Sequence, residues 1–105
     1  MTVEEFRRFV VSVDPNAGHY TSAYRDTDAY TIWYERRTLP IMGDNQHVGV
    51  RAFQIHRYTK SDADPIAEAF EAALEANDQI AFEHVTLSES PDSDYVHHVF
   101  DCEGC

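Results

Sequence analysis

The sequence predicts an α+β fold: a mainly antiparallel sheet of four to five strands with two helices packed on one face. Three observations carry this. Two segments repeat apolar residues every three or four positions, and several others alternate with period two. The strand-like segments come in pairs joined by short loops, which favours antiparallel hairpins. Two helices on one face of such a sheet complete a two-layer domain.

The elements follow in order. Residues 2–13 predict a helix. Thr2 and Glu5 form a T-x-x-E capping box, which satisfies amides the first turn leaves open. Val3, Phe6, Phe9, Val10 and Val13 make one apolar stripe, and Asp14-Pro15-Asn16 stops it. Residues 18–24, with His19, Tyr20 and Tyr24, fit a short edge strand. Residues 29–36 predict a strand in which Tyr30, Ile32 and Tyr34 alternate with Thr31, Trp33 and Glu35. After a loop over residues 40–46, a long strand is expected over 47–59. Its apolar parity changes from Val48 and Val50 to Phe53 and Ile55, which suggests a bulge near Arg51-Ala52 or burial on both faces. Asp64-Pro65 opens the second helix as N-cap and first helical residue. Ile66, Phe70, Ala73 and Leu74 form its apolar face, and Asn77-Asp78 ends it. Strands over 80–86 and 95–101 flank a polar turn at 88–93. Ile80, Phe82 and His84 share one face of the first. Val96, His98 and Phe100 share one face of the second.

A length of 105 residues suits a single domain over 1–105. Its expected parts are the leading helix over 2–13, the sheet and second helix over 19–101, and a flexible acidic end over 102–105. No apolar run reaches the roughly 18 residues a membrane span needs. The N-terminus is charged and amphipathic rather than secretory, so a cytosolic protein is expected.

Charge is unevenly placed. All eight Lys and Arg residues lie at or before Lys60, against seven acids; the remaining residues carry twelve acids and no Lys or Arg. The formal net charge of −11 disfavours nucleic-acid binding, because phosphate contacts need a basic surface. It suits a basic partner or a surface that repels DNA. Arg36, Arg37, Arg51 and Arg57 are expected to be ion-pair partners for the acidic C-terminal half.

The candidate chemistry is sparse. Cys102-x-x-Cys105 has metal-ligand spacing, and His84, His97 or His98 is available to complete a tetrahedral site. The weight against it is the position of the pair at the chain end, where plain tail cysteines are expected. Asp101 and Glu103 would raise, not lower, a neighbouring thiol pKa, which disfavours a thiol nucleophile. His47, His56 and His84 have Asp44 or Glu83 available as acid–base partners, but no spacing singles out a pair. No phosphate-binding glycine motif occurs. Tyr30, Trp33, Tyr34 and Phe53 read as core and sheet surface rather than base-stacking groups, for want of basic neighbours. No catalysis and no cofactor are expected. Val11, Trp33, Val50, Val85 and Val99 fall off the assigned stripes, and this apolar surplus suits a subunit buried against copies of itself.

Three runs taken together carry a resemblance: YTIWYE; then MGDNQHVGVRAFQIHRYTKSDADPIAEAFEAALEAN; then FEHVTLSESPDSDYVHHVFDCEG. A polar loop with Asp44-Asn45 leads into a strand ending at Lys60. Asp64-Pro65 and a helix rich in Ala and Glu follow. An aromatic strand, a polar turn and a closing strand with Tyr95 and Phe100 complete the order. In this the chain resembles the small tail-completion (tail terminator) proteins of long-tailed bacteriophages, also described as minor capsid or head–tail joining proteins. The resemblance runs from about Tyr20 to Gly104.

The resemblance implies a non-catalytic virion protein, assembled in the bacterial cytoplasm. It implies a ring, typically a hexamer, that caps the tail tube and meets the head-completion proteins. DNA passes through such a ring without sequence-specific binding, and no membrane is involved. The loop residues Met42, Gly43, Asp44, Asn45, Gln46 and His47 are then candidate assembly contacts. Two features depart from the pattern: Arg57 stands where an apolar strand residue is expected, and Cys102-x-x-Cys105 is foreign to it. Two other readings stay open. One is an acidic DNA mimic or inhibitor of a basic partner, with Glu68, Glu71 and Glu75 along one helix face. The other is a small zinc- or thiol-dependent protein using Cys102, Cys105 and His98.

Overall fold

The computed structural model describes residues 1–36, 51–61, 63–88 and 95–104. Helix α1 (Val3–Val13) starts at the expected capping box. The Thr2 hydroxyl accepts from the Glu5 N–H at 3.1 Å, and the Thr2 N–H donates to the Glu5 carboxylate at 3.1 Å. Asp14 caps the far end and also accepts from the Asn16 N–H at 3.0 Å. Helix α2 (Pro65–Glu75) starts as expected too: the Asp64 carboxylate accepts from the Ala67 N–H at 2.9 Å, with Pro65 in the first turn. No helix among the described residues is long and apolar enough to cross a membrane.

The strands are β1 (Gly18–His19), β2 (Ala29–Glu35), β3 (Arg51–Thr59), β4 (Ile80–Ser88) and β5 (Val96–Gly104). They form one sheet in the order β1-β2-β3-β5-β4. Every neighbouring pair is antiparallel except β1 with β2, which is parallel. The fold is thus α+β with a mixed, mostly antiparallel sheet. The strand expected over 18–24 shrinks to Gly18–His19, because Tyr20 turns away at φ +67°. A Cβ at Gly18 would run into the Thr21 carbonyl, so that close turn requires glycine.

Alternation gives the sheet two unlike faces. One carries the buried residues Thr31, Trp33, Phe53, Ile55, Arg57, Thr59, His98, Phe100 and Cys102. Of these, Trp33, Phe53, Ile55, Phe100 and Cys102 join Phe6 and Val10 of α1 and Phe70 and Leu74 of α2 in the core. The Phe6 ring stacks on Phe53 with centroids 4.0 Å apart, and Phe70 meets Phe100 at 5.9 Å. Burying rings of this size contributes on the order of 2–3 kcal/mol each. The other face, called here the outer face, carries Tyr30, Ile32 and Tyr34, then Gln54, His56 and Tyr58, then His97, Val99 and Asp101, then Glu83, Val85 and Leu87.

Three expectations need correction. Trp33, expected to lie off the apolar stripe, is a core residue at 1 % exposure. Strand β2 is apolar on both faces, so period two alone does not say which face turns inward. From Arg51 onward β3 pairs with β5 without a skipped residue, so no bulge lies at Arg51-Ala52; Val48 and Val50 lie outside the described residues. Residues Cys102, Glu103 and Gly104 are not a flexible end but the last part of β5, paired with β3 on one side and β4 on the other. Gly104 is pressed against Met1, whose side chain a Cβ there would meet at 2.9 Å.

Candidate functional site

Strand register brings together groups far apart in sequence. On the outer face, His56 of β3 lies diagonally from His97 of β5, with Nδ1 and Nε2 2.7 Å apart. The Tyr34 hydroxyl donates to the Gln54 side-chain oxygen at 2.7 Å. That proton being used, His56 Nε2–H is left to donate to the Tyr34 oxygen at 2.9 Å and the Gln54 oxygen at 3.0 Å. A neutral His56 then has a lone pair on Nδ1 and accepts from His97 Nε2–H. Burial, helped by the nearby His97 and partly offset by Asp101, pushes the His56 pKa down to about 4, in keeping with the neutral form.

The rings around this centre form a continuous row. Tyr34 stacks on His56 at 5.2 Å, His56 on His97 at 4.9 Å, and Tyr58 on His97 at 4.2 Å. Tyr30 stacks on Tyr58 at 4.7 Å and meets the edge of Tyr95 at 6.3 Å. Lys60 lies over Tyr95 at 5.2 Å, near enough for a cation–π contact. At the other end Tyr20 stacks with Tyr34 at 6.0 Å. Tyr20 and His19 both bond to the Glu35 carboxylate, at 2.6 and 2.7 Å. Burial opposes ionisation of Glu35, but those two bonds outweigh it and hold its pKa below the usual value.

Toward β4 the outer face turns acidic and aliphatic. Val85 and Leu87 are exposed by 41 % and 46 %. Glu83 lies opposite Asp101, and Ala81 opposite Glu103. A cavity of about 200 Å³ is lined by Ala81, Phe82, Glu83, Asp101 and Glu103. Arg36 makes a forked pair to Asp101 at 2.9 and 3.1 Å.

On the core side, the unexpected Arg57 has an explanation. Its guanidinium grips Asp64 through two bonds, at 2.8 and 3.2 Å. It also donates to the Thr31 hydroxyl at 3.1 Å and lies 3.6 Å from Asp14. It therefore ties the C-cap of α1 and the N-cap of α2 to the middle of the sheet. A cation near the C-terminus of α1 and a carboxylate at the N-terminus of α2 both suit the helix dipoles. This is a structural clasp rather than a reactive site.

Of the described residues singled out for metal chemistry, His84 and His98 come together, but no third ligand joins them. His98 and Cys102 do share a face of β5, as expected, but Phe100 stands between them. Cys102 is fully buried, and burial followed by Asp101 pushes its thiol up to about 12, so it carries almost no thiolate at neutral pH. His98 is 8 % exposed and its Nδ1 lies 3.0 Å from His84 Nε2. Among the described residues no three His, Cys, Asp or Glu side chains are grouped to hold a metal ion. Cys105 and the loop Met42, Gly43, Asp44, Asn45, Gln46 and His47 lie outside the described residues.

The ring row on the outer face was not anticipated. Its signal is present in retrospect: Tyr30/Tyr34, His56/Tyr58 and Tyr95/His97 each repeat at i and i+2 or i+4, placing rings on one face of three adjacent strands. No protein-family model matches the sequence, and no curated protein does.

Proposed function

We propose that this protein is a structural subunit that assembles with copies of itself through the outer face of its sheet. We infer further that both helices cover the same, core face: Phe6 packs on Phe53 and Phe70 on Phe100, and both partners point inward. Among the described residues no helix then lies over the opposite face.

One observation carries the reading. The outer face holds an unbroken row of rings from Tyr20 to Tyr95, extended by Val99 and the exposed Val85 and Leu87. A face of this width rich in apolar and aromatic surface suits burial in an assembly. Rings with hydroxyl or imidazole edges suit interfaces, because they supply contact area and directional bonds together.

The setting we propose is the head–tail junction of a long-tailed bacteriophage, as a ring of about six subunits that completes the tail. The support is the segment order described above. The acidic second half is compatible with a channel wall from which passing DNA is repelled. In this reading the protein has no catalytic role. Met42, Gly43, Asp44, Asn45, Gln46 and His47 contact the neighbouring subunit or the tail tube, and the protein resides in the virion. The test is native mass spectrometry with negative-stain imaging at high protein concentration, with and without added tail tubes. Rings of about six copies, alone or on tube ends, support the proposal. A monomer that leaves tube ends bare contradicts it.

A further inference from the structure

The edge of the sheet formed by β4 offers a second surface, adjoining the outer face at Val85 and Leu87. Backbone geometry defines it. In an antiparallel pair, alternate residues point both N–H and C=O toward the partner strand, and the residues between point both away. Arg36 N–H donates to the Ala52 carbonyl and Lys60 N–H to the Asp28 carbonyl, so even-numbered residues of β3 face β2. Odd-numbered residues of β3 then face β5. By the register, even-numbered residues of β5 face β3 and odd-numbered residues face β4. It follows that Ala81, Glu83, Val85 and Leu87 bond to β5, while Phe82, His84 and Thr86 point their N–H and C=O groups outward. Ile80 fits the pattern, because its N–H is used outside the sheet, by the Asn77 carbonyl. Among the described residues nothing pairs with the outward groups of Phe82, His84 and Thr86, since β4 ends the sheet.

Among the described residues this edge lacks the usual protection. Folded proteins blunt an open edge with lysine, proline, a bulge or a very short strand. Strand β4 has nine residues, no Lys, Arg or Pro, and unbroken register with β5. The opposite edge, β1, has two residues. Beside the outward backbone groups of β4 stand Val85 and Leu87, both exposed. Carboxylates border both sides: Glu83, Asp101 and Glu103 on the outer face, and Glu71 on the helix side, 3.5 Å from His84. Arg36 pairs with Asp101, and no Lys or Arg follows Lys60 in the chain.

We propose that β4 is a docking edge for a basic, extended segment of a partner protein, which adds to the sheet as a further strand. Main-chain bonds to Phe82, His84 and Thr86 supply the docking geometry. Arginine or lysine side chains on the incoming segment meet Glu83, Glu103 and Glu71, and aliphatic ones cover Val85 and Leu87. The charge pattern selects against acidic strands and against a second β4 edge, which would bring like charges together.

The test uses the full chain and a fluorescent peptide of alternating arginine and valine. Three controls accompany it: its glutamate–valine counterpart, a version N-methylated at alternate amides, and the variant Thr86→Pro, which removes one outward N–H at an edge position where proline is tolerated. The expected result is saturable binding of the basic peptide, with amide exchange at Phe82, His84 and Thr86 slowed by roughly tenfold or more. Raising ionic strength from about 0.05 M to about 0.3 M should weaken it several-fold. The acidic and N-methylated peptides should bind at least about tenfold more weakly, as should the basic peptide to Thr86→Pro. If the N-methylated peptide binds as well as its parent, or protection falls on α2 instead, attraction is by charge alone and the docking edge is wrong. Protection of β4 by self-association without peptide would assign the edge to a second copy and overturn the proposal, as would no binding at all. If Thr86→Pro does not fold, the N-methylated peptide decides.

Discussion

Replacing Arg57 with alanine tests the clasp that joins both helices to the sheet. Arg57 is 7 % exposed, and its partners Asp64 and Asp14 are 6 % and 5 % exposed. The substitution removes two bonds to Asp64, one to Thr31 and the close approach to Asp14. Among the described residues no Lys or Arg then remains beside these two interior carboxylates. Breaking a buried ion pair from one side costs about 3–5 kcal/mol, mostly as the penalty of the unpaired charge. For a domain whose whole stability is on the order of 5–15 kcal/mol, that is a large share. The corresponding drop in Tm is on the order of 15 °C. The pH dependence should change as well. In the intact protein burial raises the Asp64 pKa, but the bonds from Arg57 and the Ala67 N–H outweigh it and hold it low. A depressed carboxylate pKa contributes stability that is present above the unfolded value and lost as pH falls through the folded value. In Arg57→Ala burial is no longer outweighed by Arg57, so the Asp64 pKa rises and that contribution shrinks or reverses. The assay is urea unfolding at neutral pH and at several acidic values. A loss below about 1 kcal/mol at neutral pH, with an unchanged acid limb, would refute the buried-pair reasoning.

Three further outcomes are expected. His56, with its pKa lowered to about 4 from an ordinary 6.5, is protonated more readily in the unfolded chain. It therefore contributes stability above pH about 6.5 that is lost as pH falls toward about 4, and His56→Gln should flatten that slope in denaturation curves across the window. Thr2→Ala removes one half of the capping box and should lower stability by about 1 kcal/mol, measured by thermal melting. In a Cys105→Ala background, Cys102 should resist a disulfide-exchange reagent near neutral pH until the protein is denatured. Rapid labelling of the native state would contradict its burial.

The local signals in the sequence were faithful. The capping box at Thr2 and Glu5 and the Asp64-Pro65 start are complete within a few residues, so both helix starts were legible. What was not legible depends on contacts remote in the chain. Trp33 and its neighbours Ile32 and Tyr34 are all bulky and largely apolar, so only packing against Phe6 and the other strands reveals which face is core. Cys102 looked like part of a frayed end because its partners, Phe53 and Phe82, lie far back in the chain. Arg57 looked misplaced because its carboxylates belong to two helix caps that the sequence separates. The outer-face centre joins His56 to His97 across 41 positions, and no local pattern encodes that pairing.

Sedimentation velocity of the intact chain beside Val85→Asp tests the central claim most directly. Val85 is exposed on the outer face and bonds to β5 through its backbone, so its side chain can change without disturbing the sheet. The expected result is a concentration-dependent, larger species for the intact chain and a monomer for the variant with an unchanged fold by circular dichroism. Equal assembly by both proteins would place the self-contact elsewhere and contradict the account.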